Sequence, residues 1–314
     1  VPRLVLAGHT VIVVTRGEQK PYCDPGLWKY VELQCIDRNH EEEAGSFAAH
    51  IASFSADVVI DLICFTVQSV QHLVQGLAGR TGHFIFCGSI WVHGHSQVVP
   101  TTESMPRKPF GEYGIRKAEI EAWLLSIAHA EGFPATIVHP GHIVGRGWVP
   151  LNPVGNFNLA AFRTLAAGEK LVLPNLGLET VHHVHADDVA QAFCRVIENR
   201  SAALGESFHV VSPSALTLRG YAEQVSRWFG REPVLEFQHW EQWKKGVSVE
   251  EAETTWDHIA HSPHCSMEKA QRLLHYTPRY SSLEAVFESL EALGLRGYSP
   301  ATNKKGHPKV PSIS

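Results

Sequence analysis

From Thr10 to Pro140 the chain alternates short apolar, β-branched runs with longer stretches whose apolar residues recur every three or four positions, and this alternation limits the fold more than any other feature. TVIVV from Thr10 reads as a buried strand, YVELQCID from Tyr30 as a second, and ADVVIDLICF from Ala56, HFIFCGS from His83 and FPATIVHPG from Phe133 as three more. FAAHIASF from Phe47, SVQHLVQGLAG from Ser69 and GIRKAEIEAWLLSIAHAEG from Gly114 carry helical spacing between them. Parallel strands cannot be joined by a tight turn, so strands separated by helices predict an α/β fold whose parallel sheet is covered on both faces. The chain opens on the end of a helix: the apolar spacing in PRLVLAG stops at Gly8, a residue free to take the left-handed conformation that terminates helices.

Beyond Trp148 the texture changes. VPLNPVGNFN is rich in Pro, Gly and Asn, and NLAAFRTLAAG then reads as a helix leaving the sheet. HVHADDVAQAFCRVIEN and ESFHVVS predict a return through a helix and a last strand near Phe208, so that about 181–211 completes the sheet. After Ser212 the pattern is irregular and helical, with Trp228, Phe229, Trp240, Trp243 and Trp256; this predicts a small second domain over the carboxyl ends of the strands, where open α/β sheets bind ligands. The polar, Pro-containing end 299–314 is predicted to be disordered.

Composition excludes several classes. With 27 Lys and Arg against 32 Asp and Glu the net charge is −5, which argues against nucleic acid as a partner. No apolar run approaches the roughly 20 residues that a bilayer crossing needs, so no membrane partner is expected. The cysteines at 23, 35, 64, 87, 194 and 265 form no CxxC pair and read as reduced core residues of a cytoplasmic protein.

The strongest chemical signal is Tyr113 and Lys117, four residues apart and therefore on one face of a helix. A phenol titrates near pH 10, about three units too high for a base at neutrality, and a nearby ammonium favours its ionised form. The competing reading is an exposed helix surface. FIFCGS ends a buried strand with Ser89, 24 residues before Tyr113, which favours the chemical reading. GSIWVHG from Gly88, PTTESMP from Pro100, the Tyr113–Lys117 pair, HPGHIVG from His139 and VHADDVAQAF from Val184 stand in the order of the motifs of the extended short-chain dehydrogenase/reductase, or NAD-dependent epimerase/dehydratase, family, which the chain resembles over nearly its whole length.

That resemblance implies a Rossmann-like dinucleotide-binding domain at 1–148 and a mainly substrate-binding region at 149–298. It also implies an enzyme that acts on a hydroxyl-bearing carbon of a sugar, sugar nucleotide or related alcohol. Tyr113 would be the acid/base, Lys117 would lower its pKa and hold the nicotinamide ribose, and Ser89 would bond the reacting oxygen. Asp37 matches the acid that receives the adenine amino group, its alternative being a strand-end turn residue. Leu62 and Ile63 would pass the cofactor by backbone contact, Pro140 and Gly141 would flank the nicotinamide, and His93 and Asn156 would join Ser89 on the substrate side. Thr15 and Arg16 stand where NAD-selective members carry an acid. A guanidinium matches a 2′-phosphate, so the cofactor is NAD(P) with NADP slightly favoured, unless Arg16 is a surface residue stacked on adenine.

The departures from the family pattern are specific. Val181 stands where sugar-nucleotide epimerases carry an Arg that grips the substrate diphosphate, His93 replaces a usual Tyr, and His139 replaces the Arg of the RP motif. No glycine-rich nucleotide loop occurs in residues 1–314, and the expectation is a chain that lacks the first strand and loop of its fold. HHVHADD from His182 and HIAHSPHC from His258 invite a metal reading, but packed or exposed histidines are the better one and no metal is expected. Two other functions stay open: a nucleotide-binding scaffold with weak catalysis and possible RNA association, as in the chloroplast stem-loop RNA-binding branch, and a reductase of a non-carbohydrate ketone. A small-molecule substrate is the expected partner, with a homodimer left open.

Overall fold

The computed structural model describes residues 1–18 and 25–297; the tail expected to be disordered and Cys23 lie outside the described residues. Its strands in chain order are β1 (Val11–Thr15), β2 (Val31–Cys35), β3 (Val58–Asp61), β4 (His83–Cys87), β5 (Ala135–Pro140) and β6 (His142–Val144). β7 (Leu171–Pro174), β8 (Thr180–Val181), β9 (His183–His185), β10 (Ser207–Val210), β11 (Leu216–Thr217) and β12 (Leu235–Gln238) follow. The central sheet has the order β10-β5-β4-β3, all parallel, and β1 and β2 form a separate parallel pair. Among the described residues no ladder joins β1 to β3.

The central strands are apolar on both faces because helices cover both. On one face Phe47, Ile51, Val70, Leu73, Leu77, Ile120 and Leu124 pack against Phe84, Phe86 and Ile137. On the other, Val189, Ala192, Phe193 and Val196 pack against Ile85, Val138 and Phe208. A third core gathers Leu151, Phe162, Leu165, Leu173, Leu218, Tyr221, Val225 and Val286 outside the sheet.

Local signals explain the element ends. Helix Pro2–Leu6 has Pro in its first turn and stops where Gly8 takes φ +84° and His9 N–H reaches back to the Leu4 carbonyl. Arg3 then anchors this helix to the Ala186–Glu198 helix, donating Nε and Nη2 to the two carboxylate oxygens of Asp187, each at 2.7 Å. Helix Gly111–Glu131 ends at Gly132, φ +72°.

Two features depart from the sequence-based expectation. A helix, Arg38–Glu43, follows β2 with Asp37 as its N-cap, so the segment before Phe47 is helical too. The region 149–298 is also not one block: helix Glu268–Leu274 and Tyr276 leave the third core, and Ala270, Leu274 and Tyr276 pack on the sheet face with Phe193 and Phe208.

Candidate active site

The carboxyl ends of β3, β4 and β5 bring Leu62–Ile63, Ser89 and Pro140–Gly141 to one edge of the sheet. Ser89 is buried at the start of the turn Ile90–His93, where its hydroxyl oxygen accepts Trp91 N–H at 3.2 Å and caps the turn. Gly141 is dictated by space: a Cβ there would lie 2.4 Å from the His182 carbonyl oxygen, so β5 and β9 could not approach this closely with any other residue.

The Gly111–Glu131 helix presents Gly114, Lys117, Ile120, Glu121 and Leu124 to the sheet, a stripe at helical spacing. Tyr113 stands at the edge of that stripe, 43% exposed, with Trp91 edge-on at 5.8 Å between centroids and Phe65 at 6.4 Å. Burial pushes the phenol above its ordinary pKa, Cys87 adds to this, and the nearby Ser89 hydroxyl works the other way. Lys117 is 2% exposed; its ammonium donates to the Cys64 carbonyl at 3.0 Å and the Cys87 carbonyl at 2.9 Å, with the Phe65 and Phe86 rings each 4.7 Å away.

The Lys117 ammonium stands 5.8 Å from the centre of the Tyr113 ring, its protons are donated to strand-end carbonyls, and burial pushes its own pKa down. It clamps the ends of β3 and β4 beneath the phenol.

Leu62 and Ile63 are 55% and 58% exposed although apolar. Arg16 and Asp37 lie apart from the Tyr113 group, at the ends of β1 and β2, where the register pairs Thr15 with Cys35. Arg16 Nη2 is 3.3 Å from Glu18 Oε2, both exposed, and Asp37 Oδ1 accepts His40 N–H at 3.2 Å. The capping role is thus the turn-residue alternative for Asp37, and its exposure leaves the carboxylate open to a second partner.

Two residues expected on the substrate side lie in buried networks. His93 is buried and its Nε2 lies 2.8 Å from His209 Nε2, on the sheet side of the turn. Asn156 is buried in a loop network: its amide oxygen accepts Asn152 Nδ2 and Asn158 N–H, and its Nδ2 donates to Thr255 Oγ1 at 3.1 Å. It positions the 152–158 loop against helix Val249–His261.

Sequence reasoning missed the wall over Tyr113. Trp91 stacks on His261 at 4.1 Å and meets His258 at 5.1 Å and His142 at 6.3 Å; Phe157 closes on His258 at 5.4 Å and Phe110 stacks on His261 at 4.0 Å. The one signal for it was the dense His and aromatic content of SIWVHGH and HIAHSPH. His258 and His261 were weighed as metal ligands; each instead donates Nδ1–H to a carbonyl one turn back in its own helix.

Val181, the position of the expected diphosphate-gripping Arg, is fully buried in β8 opposite Leu216. Among the described residues no helix is long and apolar enough to cross a membrane.

The geometry meets its relatives at several levels. Over 299 residues the chain is 25% identical to a chloroplast stem-loop binding protein of 41 kDa from Arabidopsis thaliana, covering 91% of this chain and 73% of that protein. It is 24% identical to a UDP-glucose 4-epimerase of Corynebacterium glutamicum over 71% of this chain and 67% of the other. The fold of the Thermotoga maritima UDP-glucose 4-epimerase, solved with UDP-glucose, superposes with a TM-score of 0.67 over 93% of both chains at 18% identity. A model of the NAD dependent epimerase/dehydratase family matches residues 1–210, two thirds of the chain, and takes in the strand ends that carry Ser89, Pro140 and Gly141 and the helix that carries Tyr113 and Lys117: the protein belongs to that enzyme family.

Proposed function

We propose that the protein is a nicotinamide-dependent enzyme that oxidises, reduces or epimerises a hydroxyl-bearing carbon of a sugar, sugar nucleotide or related alcohol, with Tyr113 as acid/base. The carrying observation is the convergence of the Ser89 and Tyr113 hydroxyl-bearing side chains at the carboxyl end of the sheet, with the buried ammonium of Lys117 5.8 Å from the Tyr113 ring centre and bonded to the Cys87 carbonyl beside Ser89. The nicotinamide half of the cofactor fits this edge: exposed Leu62 and Ile63 supply an apolar floor and Lys117 supplies positive charge.

When bound, the nicotinamide supplies hydride exchange with the substrate carbon. Tyr113, a protonated phenol at neutrality, would donate its proton to the substrate carbonyl oxygen as that carbon gains hydride, and would take it back in the reverse direction. Ser89 holds the same oxygen. The aromatic wall of Trp91, His142 and His258 suits a ring laid against it, and burial holds the pKa of His258 at about 4, so this wall is uncharged at neutrality. With Val181 in the diphosphate-gripping position, an unphosphorylated sugar or alcohol ranks beside a sugar nucleotide. Arg16 at the end of β1 favours NADP.

A second reading, a nucleotide-binding scaffold that associates with RNA, is favoured by the Arabidopsis relative alone. Assaying NAD(P)-linked turnover on a panel of sugar nucleotides, free sugars, alcohols and ketones, with Tyr113→Phe in parallel, separates the two. The proposal expects turnover on some member of the panel and a loss of about 10² to 10⁴ in rate for Tyr113→Phe. Equal rates for the two proteins, or tight stem-loop RNA binding with no turnover, would overturn it.

A further inference from the structure

Behind the turn that follows Ser89, three imidazoles from distant parts of the chain converge. His93 ends the turn, His139 is in β5 and His209 in β10; all three are buried, and one ring nitrogen from each lies within 4.8 Å of the other two. A tetrahedral zinc with bonds of 2.0–2.1 Å needs its nitrogens about 3.3 Å apart, inside the range spanned here.

The hydrogen bonding of the cluster is incomplete in a way that packed histidines ordinarily avoid. His209 Nδ1 donates to the Ser266 carbonyl at 3.1 Å, so in the neutral ring Nε2 carries a lone pair, and it faces His93 Nε2. His93 Nδ1 and both ring nitrogens of His139 are buried with no hydrogen-bond partner. Metal-bound imidazoles ordinarily have outer partners that fix the ring, a carbonyl or a carboxylate. Here the Ser266 carbonyl serves His209, and Glu121 Oε2 stands 3.3 Å from His139 Nε2.

The surrounding charge is also right. Glu121 is held by Arg107 at 2.7 Å, and a second buried carboxylate, Glu103, accepts His209 N–H at 2.8 Å and lies 3.9 Å from His209 Nδ1. Two carboxylates against one guanidinium leave a net negative site before any ion enters. A cavity of about 80 Å³ bounded by His93, Thr101, Met105, Pro106 and Lys108 offers a route to His93 from outside.

We infer that His93, His139 and His209 form a binding site for a divalent transition metal of the zinc class, which ties the turn carrying Ser89 to β5 and β10. Imidazole donors suit zinc, copper and nickel and exclude magnesium and calcium as preferred occupants. The ion would be a positioning element: a Cβ on Gly88 would lie 2.5 Å from the His139 ring, so the cluster is packed directly against the strand end that precedes Ser89.

The test uses the full chain stripped with a chelator and titrated with Zn²⁺ against a chromophoric competitor, and with Co²⁺ followed by its visible ligand-field bands. One equivalent per chain is expected, with intense tetrahedral cobalt bands, and His209→Asn should weaken zinc at least a hundredfold. Should His209→Asn fail to fold, His93→Gln at the cavity wall gives the same reading. His258→Gln, in the separate aromatic wall, should bind as the parent does. Absence of stoichiometric binding by the parent, or equal affinity in the parent and the His93 or His209 variant, overturns the site and leaves a hydrogen-bonded histidine cluster.

Discussion

Acidification should unfold this protein well above the pH at which its carboxylates titrate. Five buried histidines, His83, His182, His183, His258 and His261, are held neutral: burial brings His182 to about 3 and the other four to about 4. The bonding explains why. His182 Nδ1 accepts Cys265 N–H at 3.2 Å while its Nε2 donates to the Ser212 carbonyl, so a second proton would set one N–H against another. His83 donates to Thr136 Oγ1, which donates in turn to the Ala203 carbonyl at 2.7 Å. The ionisable neighbours that act on them give no relief: Arg200 faces His83, His264 and His183 face His182, His258 faces His183, and His258 and His95 face His261.

In the unfolded chain each of these histidines titrates near 6.5. Because the folded values are depressed, the stability contributed is fully present above about 6.5 and is lost as pH falls toward 4. Near pH 5 each site costs about 2 kcal/mol, so five cost about 10 kcal/mol, comparable with the whole stability of a typical domain. Thermal midpoints and near-ultraviolet circular dichroism from pH 8 to 4.5 should show a steep fall beginning near 6.5, with these five protons and those of the likewise depressed His93, His142 and His209 taken up on unfolding. His183→Asn should remove about one of them. A midpoint that stays level down to pH 5 would refute the buried neutral state of these rings.

Other outcomes follow from single contacts. Lys117→Met leaves the Cys64 and Cys87 carbonyls without a donor; each costs about 1–3 kcal/mol, so the melting temperature should drop together with turnover, and a loss of turnover alone would remove its clamping role. Gly141→Ala should separate β5 from β9 and lower both stability and cofactor affinity, read by melting and by fluorescence titration; a parent-like protein would contradict the 2.4 Å approach. Arg16→Asp should weaken NADP about ten- to a hundredfold relative to NAD, the equivalent of about 1.5–3 kcal/mol, and an unchanged ratio would show that Arg16 does not read the 2′-phosphate.

Much of the scaffold was legible because its signals are local. A left-handed glycine after PRLVLAG, apolar runs bounded by turn residues, and Tyr and Lys one helical turn apart are each complete within a few residues, and backbone geometry turns each into an element or a shared face. The Asp37 cap of helix Arg38–Glu43 was equally local, yet the stretch lacks an apolar stripe, so hydrophobic spacing passed over it. Trp91, His142 and His258 carried no such mark: their association depends on where a loop, β6 and helix Val249–His261 meet.

The amino-acid order by itself determined the α/β class, the parallel sheet, the strand end that precedes Ser89 and the helix that carries Tyr113 and Lys117, since these follow from periodicity and spacing along one dimension. Only the tertiary structure decided what those groups touch. Lys117 reaches carbonyls 53 and 30 residues away, and His93 meets a ring 116 residues away. Such partners are chosen by packing, which minimises unpaired buried groups over the whole fold at once, and a buried histidine looks the same in a sequence whether it fills a core, lines a cleft or waits for an ion.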